Sequence, residues 1–569
     1  MRKFLTYLAS ALLAVSCISN DLPYPATEAY ITGLEVEDAE SVEIDYDNRT
    51  ITVHFPEDKD IRKVNITGVT YDKPKVTSSI ELIGEYDLSS PLSFNIRIYH
   101  DYRWQIVAVR DIKRSFAIAG QVGSTEIDPV NHRVLASVGK RVSLSRLDVT
   151  SFKLGPTGIT TYTIIDSSTG EIIASGGEDI SDRFTGLDFS NGVYVDVTSF
   201  DVTERWTIYV DISDINLMIR SINPWARRAY VISMGVAGDT PGFRYRKSGE
   251  QEWTDVPESD ISIDGGTFTA CISGLMPVTE YEVIASCGTE ETPSQTFSTT
   301  PATPLPNAGF EYTSLVSGEK YYKFYDPGCG VSDGMTMFWG SGNGEGPEGV
   351  DGSANMGIII TVVDTEDKKE GRQSVCAQTS EMVGILAAGN LFTGQFAGLV
   401  GTEGGKVNFG RPWNTRPVAL RLYCKYTTDK MDIIKGMPPG TSLSHSDYDR
   451  AQIKFAIGTW DYKKYGGSPA SPVHINTTEP KTFVDYATDK STIAHGDLIV
   501  HHDGYILNGG TKIESVTSEW VEYTIPLIYH DIQTAPTHIV ISCAASQYGD
   551  YFTGCSSSKL WLDDFELIY

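Results

Sequence analysis

Apolar residues recur at every second position over short stretches, as in Ile51, Val53 and Phe55 and again in Val134, Ala136 and Val138. A period of two turns one face of an extended segment inward, and a strand half-buried in this way needs a second sheet to cover it. The 53 Gly, 30 Tyr and 21 Phe fit the same reading, because aromatic residues favour strands and Gly punctuates turns. The fold class expected is all-β, built from β-sandwiches. With 569 residues and about 150 residues per domain, roughly four domains are expected. Lys and Arg total 46 against 74 Asp and Glu, a formal charge of −28. A surface that acidic repels phosphate backbones and argues against nucleic acid as a partner.

The first 210 residues contain a degenerate repeat. Glu43-Ile44-Asp45 with Asn48 returns as Glu126-Ile127-Asp128 with Asn131, and Asp87-Leu88-Ser89 returns as Asp188-Phe189-Ser190. The strand ending Trp104-Gln105-Ile106-Val107 returns as Trp206-Thr207-Ile208-Tyr209. We read two immunoglobulin-like sandwiches, residues 27–112 and 113–213, the second carrying an added hairpin around Thr160 to Asp179. Residues 214–300 resemble a fibronectin type III domain through Trp225, Tyr230, Phe243-Arg244-Tyr245-Arg246, Trp253 and Leu275-x-Pro277-x-x-x-Tyr281-x-Val283-x-Ala285. That resemblance implies a Leu plugging the core and a Tyr hydroxyl bonding back to backbone at a sheet corner. Residues 301–306, with three prolines, read as a stiff extended linker, and 307–569 as one large domain.

At the N-terminus, Arg2-Lys3 precedes an apolar run from Phe4 to Val15 and then Ser16-Cys17. This is too short to span a bilayer and reads as a signal peptide, residues 1–16. Ser16-Cys17 resembles a bacterial lipobox, which implies lipidation of Cys17, although Ala14 stands where Leu is usual. Residues 17–26 then form a tether resembling those of Bacteroidetes surface lipoproteins. The expected location is the bacterial cell envelope, lipid-anchored at the outer membrane. Apart from Cys17 the chain has seven cysteines, an odd number without zinc spacing. They read as buried free thiols, with a Cys543–Cys555 bridge as the alternative. The apolar stretch Val383 to Val400, broken by four Gly, reads as two buried strands with a turn.

The last 260 or so residues begin with Asn307-Ala308-Gly309-Phe310-Glu311 and end with Leu562-Asp563-Asp564-Phe565-Glu566-Leu567. Pairing of first and last strands resembles that in galactose-binding-like carbohydrate-binding modules. It implies a structural calcium held by Glu311 and Asp564, with Asp563 behind them; solvent-facing acids on edge strands are the alternative. Between the ends stand Ala387-Ala388-Gly389-Asn390-Leu391-Phe392-Thr393-Gly394, Phe409-Gly410-Arg411-Pro412-Trp413 with Arg416-Pro417, Tyr423-x-Lys425-Tyr426, and Tyr548-Gly549-Asp550-Tyr551-Phe552-Thr553-Gly554. These resemble the family called the putative carbohydrate metabolism domain. The resemblance implies a jelly roll that handles carbohydrate; Ala545 and Gln547 depart from it, standing where a Ser-Ser-Lys run is expected.

A sugar site needs an aromatic plate for the apolar ring face and planar polar groups for the hydroxyls. Arg411, Trp413, Arg416, Trp460, Tyr548 and Asp550 are the residues we select, each aromatic fitting core packing as well. Hydrolysis needs paired carboxylates, and Asp461 and Asp550 are the candidates. No serine-esterase elbow, zinc-protease motif or phosphate loop occurs, and no nucleotide or organic cofactor is expected. His495, His501, His502 and Asp503 read as polar turn residues rather than a metal site. Three functions remain open: a lipoprotein that binds glycan, a glycoside hydrolase or lyase using Asp or Glu, and an adhesive surface protein with envelope protein partners.

Overall fold

Wherever the sequence alternates, the chain forms strands that pair into stacked sheets. The structure, a computed structural model, describes residues 28–177, 184–315, 321–324, 338–344, 352–382, 384–401, 403–438 and 440–569. The expected signal peptide, tether, Cys17 and Cys329 lie outside the described residues, as does the end of the added hairpin. Two compact units divide the chain, one running to Asp214 and the other comprising Ile215–Tyr569 with Val122–Ser124.

In the first unit each copy of the repeat builds the same motif. Ser41–Asp45 pairs antiparallel with Thr50–Phe55, which lies parallel to Asp101–Arg110. Glu126–Asp128 pairs antiparallel with Arg133–Val138, which lies parallel to Val202–Ile212. The repeated Asp and Asn make the turn. Asp45 Oδ1 accepts from the Asn48 amide at 3.0 Å and Asp128 Oδ1 from the Asn131 amide at 3.0 Å. Such side-chain turns stabilise a reversal locally, and the following residues, Arg49 and His132, take φ of 49° and 50°. Trp104 and Trp206 are fully buried, each in its own core with Leu88 or Phe189. The added hairpin forms, Thr161–Asp166 against Ile172–Gly176.

The second unit opens with a four-stranded sheet, Met218–Pro224, Arg228–Met234, Thr267–Ser273 and Ile261–Asp264, and a five-stranded one centred on Glu280–Cys287. Tyr281 Oη accepts from the Met276 amide at 2.9 Å, and Leu275 is buried. Beyond it lies a sandwich of an eleven-stranded and a five-stranded sheet enclosing the largest core. Its ends meet as expected: the Phe565 amide donates to Ala308 O at 3.0 Å, and the Phe310 and Phe565 rings lie 5.4 Å apart.

Three expectations are resolved here. The Pro-rich segment 301–306 is packed: Leu305 is buried, Trp339 Nε1 donates to Pro306 O at 2.8 Å, and Tyr569 Oη donates to Thr303 O at 2.7 Å. Cys543 and Cys555 are free, like the other described cysteines, so no bridge joins them. Of the 383–400 stretch, whose first residue lies outside the described residues, Ile385–Ala387 and Asn390–Val400 are strands. Among the described residues no helix is long and apolar enough to cross a membrane.

Trp206 fills the centre of its core, and cutting so large a side chain leaves a cavity. Trp206→Ala should therefore cost about 3–5 kcal/mol of stability, read by chemical denaturation as loss of the first unit ahead of the second.

Candidate functional site

The strand Ala451–Gly458 lies in the interior of the large sheet, between Thr492–His501 and His538–Ala544. Its alternation sends Ile453, Phe455 and Ile457 into the main core and Gln452, Lys454 and Ala456 to the outer face. Register places Asp497 beside Lys454 on one side and Ser542 on the other, close enough for directly opposed side chains to interact. Gln452 Nε2 donates to Asp497 Oδ1 at 2.8 Å, and the Asp497 amide donates to Asn508 Oδ1 at 2.7 Å. Burial pushes the Asp497 carboxyl upward, opposed by the Gln452 hydrogen bond and the Lys454 charge.

Half of this outer face is covered. Ala456 and Val540 disappear beneath Trp460, Val473 and Ile475, with Phe409, Tyr465, Phe483 and Tyr486 packed around them. The cover is held by Asp489, which accepts from Trp460 Nε1 at 3.2 Å and Tyr465 Oη at 2.8 Å. Around Lys454 the cover stops, leaving Lys454 exposed and Gln452, Asp497 and Ser542 half-exposed. Phe483 and Tyr551 stand edge to face at 5.6 Å, 86° apart. Arg450 Nη2 donates to Tyr548 Oη at 2.9 Å. Asp550 stands on the turn Gly549–Tyr551; its surroundings push its carboxyl upward, and the Lys454 charge opposes this, as it does at Asp497. The arrangement offers a donor, an acceptor, a cation and aromatic edges on an open strip.

The turn bearing Tyr548 and Asp550 hangs from a buried carboxylate. Asp449 Oδ2 accepts from Ser546 Oγ at 2.6 Å, the Cys555 amide at 2.8 Å and Ser558 Oγ at 2.9 Å. Desolvation nevertheless raises its pKa from 3.8 to about 6.

Of the residues selected from sequence, only Tyr548 and Asp550 reach this strip. Arg411 is fully buried as a clamp, donating from Nε to Phe338 O at 3.1 Å, from Nη1 to Ser471 Oγ at 2.5 Å and from Nη2 to Gly394 O. Trp413 packs in the main core beside Phe338, and Trp460 belongs to the cover. Arg416 joins the second unit's two sandwiches. It donates to Thr534 O, Gln533 O and Asn223 Oδ1, with its guanidinium 5.5 Å from the Trp225 ring. Asp461 is the N-cap of the helix Tyr462–Tyr465, accepting from the Lys463 amide at 3.0 Å. Sequence reasoning missed Gln452, Lys454 and Asp497, although their signal was the polar phase of two alternating strands.

Of the acids expected to hold calcium, Glu311 is engaged by Arg372. Both Glu311 oxygens accept from the Arg372 amide at 3.0 Å, and Arg372 Nε adds an ion pair at 3.2 Å. A Cβ at Gly371 would collide with Glu311 Oε1, so the loop is closed against it. Asp563 is buried and accepts from the Lys369 and Glu370 amides at 2.9 and 3.0 Å, while Asp564 is exposed. Among the described residues no group of three or more His, Cys, Asp or Glu could hold a metal. The histidines disperse too: His495 meets His530 at 2.9 Å, whereas His502 stacks on Tyr448 at 3.8 Å.

Residues 309–568 match the family described as Putative carbohydrate metabolism domain, so the C-terminal region carries such a domain. No curated protein matches the chain. Among solved structures, a putative glycoside hydrolase from Bacteroides thetaiotaomicron is 18% identical, with a TM-score of 0.31, covering 80% of this chain and 95% of that one. One from Bacteroides vulgatus is 18% identical, with a TM-score of 0.29, covering 45% and 94%. A surface glycan-binding protein from Prevotella bryantii is 10% identical, with a TM-score of 0.19, covering 80% and 99%.

Between about pH 4 and 6 the folded chain holds a proton on Asp449 that the unfolded chain has lost. Its stabilising contribution is therefore complete below pH 4 and is lost as pH rises through 6. A pKa rise of that size corresponds to roughly 3 kcal/mol. Asp449→Asn should flatten this part of the stability–pH curve, measured by denaturant unfolding at several pH values.

Proposed function

We propose that the C-terminal region binds glycan on the open strip around Lys454, in a cell-envelope protein anchored through lipidated Cys17 at the outer membrane. The observation that carries the reading is that segment 459–491 covers the apolar half of the outer sheet face and stops at Gln452, Lys454, Asp497 and Ser542. Hydroxyl-rich ligands suit such a surface, because Gln452 and Ser542 both donate and accept while Asp497 accepts and Lys454 donates. The Phe483 and Tyr551 edges provide apolar contact for a ring. An open strip suits a polymer that runs past the site. The match to a carbohydrate domain family supports the same class of ligand.

One observation favours hydrolysis as the second reading. Lys454 acts on two carboxylates, Asp497 and Asp550, and burial raises Asp497, as a general acid requires.

A glycan array and polysaccharide affinity gels on the chain from residue 28 test both readings. Lys454→Ala should weaken binding about tenfold, the effect of one charge-assisted hydrogen bond, with circular dichroism unchanged. Release of reducing sugar that disappears in Asp497→Asn would move the case to an enzyme. No binding to any glycan would end the glycan reading and leave adhesion.

A further inference from the structure

The first unit holds a cavity of about 240 Å³ where its two repeats meet, lined by residues of both, among them Arg62, Arg110 and Arg114. The seam beside it is pinned by Glu57, whose carboxylate accepts from Lys153 Nζ at 2.8 and 2.9 Å. A half-buried arginine is ordinarily matched by a carboxylate. In a chain with 74 acidic residues against 46 basic ones, that match should be easy to find.

Arg110 and Arg114 lack it. Arg114 gives only Nε to a hydrogen bond, to Leu154 O at 2.8 Å, and Arg110 gives only Nη1, to Lys59 O at a long 3.4 Å. Neither makes an ion pair among the described residues. The two acids on the same wall make their closest contacts with other groups. Asp60 is held by Arg62 through Nε at 2.9 Å and Nη2 at 2.8 Å, and Glu204 lies 3.6 Å from His132 Nε2. Burial pushes both Arg110 and Arg114 downward, partly offset at Arg110 by the charges of Asp60 and then Glu204 and at Arg114 by Glu204.

The turn above the cavity is unusual. Ser199 pairs with Val202, so Phe200 and Asp201 form a two-residue turn, with φ of 50° and 63°. Turns of this kind favour Asn-Gly, because positive φ is unfavourable for a bulky aromatic. Here it holds the Phe200 ring 5.3 Å from the Arg110 guanidinium and on the cavity wall. Two guanidinium groups with spare donors and an aromatic wall form a site for a ring that carries a negative charge. The volume lies below the range of about 300–1,000 Å³ for drug-sized ligands, which limits the occupant to a single ring.

We propose that this cavity binds one carboxylate-bearing sugar residue, a uronate, between Arg110 and Arg114. The site is separate from the strip around Lys454; only the choice of a sugar as the ring rests on the carbohydrate reading. Glu204 tunes the site by competing for the two arginines.

Calorimetry on the chain from residue 28 tests this with galacturonate, galactose and inorganic sulfate as probes. Galacturonate should bind, and Arg110→Gln and Arg114→Gln should each weaken it about tenfold, as loss of a charge-assisted bond predicts. Lys454→Ala should leave that binding unchanged, and Glu204→Gln should tighten it. Absence of galacturonate binding, equal binding of galactose or sulfate, or loss on Lys454→Ala would overturn the proposal. Should the arginine variants unfold, Glu204→Gln decides: failure to tighten overturns it.

Discussion

The β-pleat sends consecutive side chains to opposite faces, and in the large sheet this single constraint ties stability to function. Ala451–Gly458 cannot put Ile453, Phe455 and Ile457 into the core without presenting Gln452, Lys454 and Ala456 outside. A slip of one residue would bury Lys454 and expose Phe455, a large penalty for a charge without a partner. The core therefore fixes the outer row, and the row inherits the precision of the core. Because the neighbouring strands obey the same rule, Asp497 and Ser542 reach Lys454 from either side without any loop to position them.

Polar groups inside the second unit follow a second rule, that buried charge must be saturated. Arg411 is saturated by two carbonyls and a hydroxyl, and Asp449 by two hydroxyls and two backbone amides. Asp563 takes amides from the loop that also gives Arg372 to Glu311. These clamps hold loops against sheets, so the residue types expected of a ligand site here serve the scaffold. In the first unit Arg110 and Arg114 break the rule, which is why that cavity reads as a place for an external anion.

The repeat in the first unit was legible to the level of its turns. Asp45 and Asp128 cap equivalent reversals, and the residues after Asn48 and Asn131 take the same left-handed backbone. A turn is set by four adjacent residues, so local sequence suffices. The sugar-site residues were less legible. Trp413 and Trp460 have the same chemistry whether they form a plate or fill a core, and only packing decides between them. Arg416 could not be assigned from its own stretch, because its partners Asn223 and Trp225 lie almost 200 residues earlier.

By itself the sequence determined the β-architecture, the repeat, the meeting of the domain's ends and the carbohydrate family of the C-terminal region. Each is written in local periodicity, turn chemistry or a run of family residues. Only the tertiary structure decided that Arg411, Trp413, Arg416, Trp460 and Asp461 belong to the scaffold and that Glu311 pairs with Arg372. It also decided that Lys454 remains uncovered beside Asp497. Burial and pairing are properties of segments distant in sequence brought into contact, and no single segment encodes where another will cover it.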